Sequence, residues 1–141
     1  MPTWPIEIVE KNGVTLFDPP NQNALLADLV FWSNTTNHPH QPWMLDANGK
    51  PVTDPRKKID PNKPFDECDN PPGSPNFDPT SRLVPSYLSD CIAPGASSRP
   101  AFNVVLPTGI TSPISYYCKV HPTSASERGT ITIVTQPPPT T

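Results

Sequence analysis

Cys118 and His121, three residues apart in Tyr117-Cys118-Lys119-Val120-His121-Pro122, set a soft thiol beside an imidazole. The chain has three histidines, and the other two stand together in Asn37-His38-Pro39-His40-Gln41-Pro42. Thiolate selects soft ions and imidazole serves copper and zinc alike, so these residue types point to a copper or zinc site. Two ligands from one loop do not hold a metal. A third is available from His38 or His40, which share one side of an extended chain because side chains alternate along it. The competing chemistry is a thiol nucleophile activated by His121, and the second histidine motif argues for metal instead. Neither a G-x-S-x-G elbow nor a phosphate-cradling glycine loop occurs, and the chain is not expected to be an enzyme.

Such ligands need strands to hold them. Tyr116-Tyr117 before the thiol and Thr130-Ile131-Thr132-Ile133 after it have the aromatic and β-branched composition of half-buried strands, with residues 122–126 as the loop between. Earlier, Ile6-Glu7-Ile8-Val9-Glu10 alternates, Lys11-Asn12-Gly13 turns and Val14-Thr15-Leu16-Phe17 resumes. Residues 19–23 break the pattern before 25–32, where Leu29 and Phe31 face one way and Val30 and Trp32 the other; a helix competes over 24–29. Trp43-Met44-Leu45 reads as a strand ending in the Asp46-Ala47-Asn48-Gly49-Lys50 turn, and residues 101–106 read as another strand.

At 141 residues the chain suits one domain. Its 23 prolines disfavour long helices, because an interior proline costs a helix about 3 kcal/mol. A net charge of -3 argues against nucleic acid, and Arg56-Lys57-Lys58 reads as a solvated loop. No apolar run approaches the ~20 residues of a membrane span. Residues 50–79 read as a long prolyl loop, expected to be pinned by Phe65, Phe77 and Tyr87 on a sheet.

Three stretches together resemble the cupredoxin family, the blue-copper proteins such as plastocyanin, amicyanin and azurin. They are Phe17-Asp18-Pro19 with Leu29-Val30-Phe31-Trp32-Ser33-Asn34; Pro39-His40; and Tyr117-Cys118-Lys119-Val120-His121-Pro122 with Arg128-Gly129-Thr130-Ile131-Thr132-Ile133. The ligand loop is the specific part, and residues 46–98 have no counterpart. The resemblance implies an all-β Greek-key β-sandwich with a long proline-rich insertion. Residues 1–136 then form a single domain, with the insertion at 46–98 and a proline-rich tail at 137–141. It also implies one copper ion, cycling between Cu(I) and Cu(II), on Cys118, His121 and His40. His40 follows a proline as the family's ligand does, which leaves His38 as a surface or rim residue. In the family a weak axial methionine stands two residues before the glycine of the last strand. That place is Glu127 here; by plastocyanin spacing it is Ser126, and the remaining alternative turns Glu127 to solvent. A carboxylate is harder than a thioether, so Glu127 as ligand implies a lowered potential and a green or red colour in place of intense blue. Asn34 is expected to tie the first-ligand loop to the cysteine loop, its other reading being a glycosylation sequon, Asn34-Thr35-Thr36.

With Cys118 in the ligand motif, Cys68 and Cys91 remain, and a disulfide between them is expected, worth about 3 kcal/mol to a segment with little core. The alternative is two free buried thiols. A bridge implies an oxidising compartment, and the chain reads as a mature domain cut from a longer precursor, periplasmic or secreted. The expected function is electron transfer to a redox partner protein through the His121 edge. The alternatives are copper storage, delivery or sensing, and a structural or binding domain without redox copper, possibly holding zinc.

Overall fold

The computed structural model describes residues 3–52, 86–98, 101–107, 109–118, 120–121 and 124–135. Among these the chain is all β: β1 Thr3–Lys11, β2 Val14–Asp18, β3 Asn21–Ala24, β4 Leu29–Asn34, β5 Pro42–Leu45, β6 Phe102–Asn103, β7 Ile114–Cys118 and β8 Arg128–Ile133. They form two four-stranded sheets, ordered β2-β1-β4-β6 and β3-β8-β7-β5. β1 runs parallel to β4 and β3 parallel to β8, so both sheets are mixed and the chain crosses between them as a Greek-key β-sandwich.

Alternation in the sequence decides which side chains go in. Ile6 and Ile8 of β1, and Val30 and Trp32 of β4, have no exposed surface, while Phe31 is half-buried on the other face. The β1–β2 hairpin turns at Asn12 and Gly13, both at positive φ (54° and 77°), a turn whose twist matches paired strands. From the second sheet Met44, Tyr116, Cys118 and Ile131 face the same core. Tyr116 meets Phe17 and Trp32 edge-on, with ring centroids 4.9 and 5.4 Å away.

Two expectations change and one competing reading falls. Asn21–Ala24 is a strand despite its poor β composition, because Asn21 Oδ1 accepts hydrogen bonds from Thr130 Oγ1 (2.7 Å) and Thr132 Oγ1 (2.6 Å) on β8. No helix forms over 24–29: buried Asp28 accepts hydrogen bonds from Leu25 N and Trp4 Nε1, both at 2.9 Å, and closes a turn in which Ala27 has φ 72°. The strand expected over 101–106 shrinks to Phe102–Asn103, which among the described residues pairs with the start of β4.

The end of the long middle segment packs into the core. Leu88 and Ile92 belong to the core, Ser97 bridges Ser33, and Ser98 N donates to Trp32 O at 2.7 Å, so residues 86–98 are part of the sandwich. Tyr87 packs on the sheet as expected, its ring 5.8 Å from that of Trp43. Phe65, Phe77 and Cys68, and the tail at 137–141, lie outside the described residues. Among the described residues no helix is long and apolar enough to cross a membrane.

Candidate metal centre

The two distant motifs meet at one end of the sandwich. His40 lies between β4 and β5, where its N–H donates to Ile92 O (3.1 Å) and its carbonyl accepts from Ile92 N (2.7 Å). Cys118 is the last residue of β7, facing Pro42 of β5, and its N–H donates to Glu127 O at 3.0 Å, just before β8. The chain turns between them, with His121 N donating to Cys118 O at 3.1 Å. Antiparallel pairing of β7 with both β5 and β8 thus carries Cys118, His40 and Glu127 to one rim.

Cys118 Sγ stands 3.6 Å from His40 Nδ1 and 3.6 Å from His121 Nδ1. Glu127 Oε1 lies 2.8 Å from His40 Nδ1 and 3.0 Å from His121 Nδ1, and all four ligand atoms fall within 4.8 Å of one another. This set fits a metal. Bonds of ~2.3 Å to sulfur and ~2.0–2.1 Å to nitrogen at a tetrahedral angle separate S from N by about 3.6 Å. Oxygen and nitrogen ligands at ~2.0–2.1 Å meeting near a right angle are about 2.9 Å apart, as the carboxylate is from both imidazoles. One thiolate, two imidazoles and a carboxylate suit copper or zinc.

Exposure differs sharply between the histidines. The His40 side chain is 1 % exposed and that of His121 37 %, so His121 is the ligand candidate whose edge reaches the surface. Their rings lie 5.1 Å apart at 59°. His38 is exposed and stands outside the four-residue cluster. Glu127, 5 % exposed, turns inward, while Ser126 joins Ser124 in a hydroxyl pair at 3.3 Å. Glu127, the residue that registration on Gly129 selects, is therefore the inward one, and the solvent-facing alternative for it does not match the geometry.

Asn34 departs from expectation. Its amide donates to His38 O (2.7 Å) and Ile92 O (3.0 Å), and its Oδ1 accepts from Thr36 N (2.9 Å) and Thr36 Oγ1 (2.7 Å). The residue braces the His40 loop; the tie to the cysteine comes from the Gln41 backbone, which hydrogen-bonds the thiol. Buried and bonded on both sides, Asn34 offers no free amide for glycosylation. The sequence reading missed Gln41 and Thr36; the signal available for Thr36 was a hydroxyl four residues before a candidate ligand.

Burial pushes the Cys118 thiol up to about 12; the Gln41 backbone hydrogen bond opposes this, the Glu127 charge adds to it, and the His121 and Val120 backbones oppose it. Burial likewise pushes Tyr117 up to about 12, the neighbouring Cys118 adding to the effect and Arg128 opposing it. Glu127 is held below the usual carboxylate range: burial acts to raise it, but hydrogen bonds from His40 and Ser124 and the two nearby imidazoles outweigh burial. Without metal, the folded chain keeps the Cys118 and Tyr117 protons above pH ~8.5 and ~10, where an unfolded chain loses them. The folded state then binds more protons, so stability of the metal-free protein is expected to fall as pH rises through these values toward 12. Urea midpoints in chelator at pH 8 and pH 10.5 check this, and equal midpoints contradict it.

This architecture, with its ligand-type residues at one rim, is the cupredoxin fold, and the chain has it. Among solved structures it is similar to a purple cupredoxin from Nitrosopumilus maritimus, at 19 % identity and TM-score 0.54, covering 93 % of this chain and 99 % of that one. It is similar also to a reduced auracyanin from Roseiflexus castenholzii (19 %, TM-score 0.52, 95 % and 98 % covered) and to oxidised plastocyanin from Dryopteris crassirhizoma (15 %, 0.51, 92 % and 99 %). At these identities the likeness is one of fold. No protein-family model matches the chain, and no curated protein matches it in sequence.

Proposed function

We propose that the protein is a mononuclear copper electron carrier, not an enzyme, with His40, Cys118, His121 and Glu127 as the ligands. The observation that carries this reading is the pair of equal 3.6 Å separations between Cys118 Sγ and two imidazole Nδ1 atoms from loops far apart in sequence. Copper bound there supplies one-electron chemistry between Cu(I) and Cu(II). The chain's own part is to hold the donors still: Cys118 and His40 are anchored by backbone hydrogen bonds to β-sheet neighbours, so little rearrangement accompanies a change of oxidation state. His121, the exposed ligand, is the electron port toward a redox partner protein. Copper, the cupredoxin fold and a proposed Cys68–Cys91 disulfide together support a periplasmic or secreted location.

Glu127 sets the character of the site. A hard carboxylate favours Cu(II) over Cu(I), which lowers the potential and weakens the copper–thiolate bond, so the colour moves from intense blue toward green or red. Glu127→Gln is expected to raise the potential by ~60 mV or more, the equivalent of a tenfold change in relative affinity for the two oxidation states. Voltammetry with absorption and electron paramagnetic resonance spectra tests this. An intense blue protein whose spectrum and potential are unchanged in Glu127→Gln contradicts Glu127 as a ligand, and a chain that binds zinc but yields no Cu(II)–thiolate signal contradicts the carrier itself.

A further inference from the structure

We propose that Thr36 is the positioning residue for His40: its hydroxyl accepts the Nε2 proton and so leaves Nδ1, on the side of Cys118 and Glu127, as the nitrogen that ligates a metal ion. The inference rests on the reading of this cluster as a metal centre and names what orients one of its ligands. Thr36 Oγ1 lies 2.9 Å from His40 Nε2, on the side of the ring away from the cluster. The hydroxyl has one hydrogen and three acceptors in reach: Asn34 Oδ1 at 2.7 Å, His40 Nε2 at 2.9 Å and His38 O at 3.1 Å.

Asn34 decides among them. Carbonyls only accept, so the two that flank its side chain, His38 O and Ile92 O, fix which end of Asn34 is the amide nitrogen. Its Oδ1 must then face Thr36, where it accepts both the backbone N–H and the hydroxyl hydrogen. His38 O is already served by Asn34. Thr36 Oγ1 thus turns a lone pair to His40, and with a metal on Nδ1 the hydrogen on that ring belongs on Nε2. The polarity runs one way, from two backbone carbonyls through Asn34 and Thr36 to the imidazole. Asn34, Thr36 and His40 are 2 %, 5 % and 1 % exposed, so water does not substitute readily for any link. The opposite tautomer places the hydrogen on Nδ1, where without metal it donates to Glu127 Oε1 at 2.8 Å and leaves that nitrogen no lone pair for an ion. Thr36 would then have to turn its hydrogen to Nε2, and the buried Asn34 oxygen would lose one of its two donors.

The test uses the full chain loaded with zinc, which is diamagnetic, and compares wild type with Thr36→Val and Thr36→Ser. Long-range proton–nitrogen spectra of the wild type are expected to show His40 with hydrogen on Nε2 and metal on Nδ1. Thr36→Val is expected to bind zinc about 10–100-fold more weakly by chelator competition, the range typical of losing a partner behind a metal ligand, while Thr36→Ser recovers most of the affinity. Wild-type His40 carrying its hydrogen on Nδ1 overturns the proposal whether or not the valine variant folds, and so does a folded Thr36→Val with wild-type affinity. If Cu(II) gives no thiolate absorption while the zinc results stand, the electron-carrier reading falls and the role of Thr36 survives. Normal copper absorption with an unaffected Thr36→Val has the reverse meaning.

Discussion

Cys118→Ser is expected to abolish the thiolate-to-copper absorption entirely and to weaken copper binding by more than the ~100-fold that loss of a supporting partner can cost. Sulfur is the only soft donor in the cluster, and a serine hydroxyl neither ionises at neutral pH nor shares charge with copper as a thiolate does. The fold should survive. Serine adds neither bulk nor charge and keeps the Gln41, His121 and Val120 backbones as polar neighbours, while the Cys118 N–H to Glu127 O bond is untouched. Absorption and electron paramagnetic resonance spectra of the copper-loaded variant, with thermal unfolding of the metal-free form, separate the two effects. A strong charge-transfer band persisting in Cys118→Ser would place the chromophore elsewhere.

Gly129→Ala is expected to cost at least the ~1–3 kcal/mol of an overpacked core, read as a lowered unfolding midpoint. Gly129 needs no unusual backbone angle; what matters is the ring on top of it. A Cβ there would lie 2.5 Å from Tyr116 Cζ and 3.0 Å from Cε1, besides meeting the hydroxyl oxygen. Tyr116 cannot retreat, because Phe17 and Trp32 hold it edge-on from the other sheet and it has no exposed surface. Strain at the Tyr116–Gly129 pair also acts close to the site, since Glu127 is two residues away and Cys118 two residues along β7. Tyr116→Phe should relieve only part of the cost, because the ring carbons remain. Tyr116→Leu should make the alanine better tolerated, and a double-mutant cycle with no coupling would show that the ring is not the obstacle.

Much of this was open to reading along the chain alone. Alternation at Ile6 and Ile8, and at Val30 and Trp32, names the core-facing residues because a strand's period of two is a local property. Asn12-Gly13 names a turn for the same reason: its backbone preference needs no distant partner. The Cys118-x-x-His121 spacing names a metal-ligand loop, and resemblance to the cupredoxins proposed His40 and Glu127 to complete it.

The tertiary structure decided what depends on groups remote in sequence or on which way a hydrogen bond points. Seventy-eight positions separate His40 from Cys118, and only the pairing of His40 with Ile92 and of β5 with β7 brings His40, not His38, to the sulfur. The inward turn of Glu127, the absorption of residues 86–98 into the sandwich and the strand at Asn21–Ala24 are likewise contacts made across the fold. So is the change in the role of Asn34. Residue type tells that an asparagine can brace a loop, but whether its oxygen faces a threonine or a cysteine loop is set by the two carbonyls that occupy its nitrogen, one of them 58 residues away.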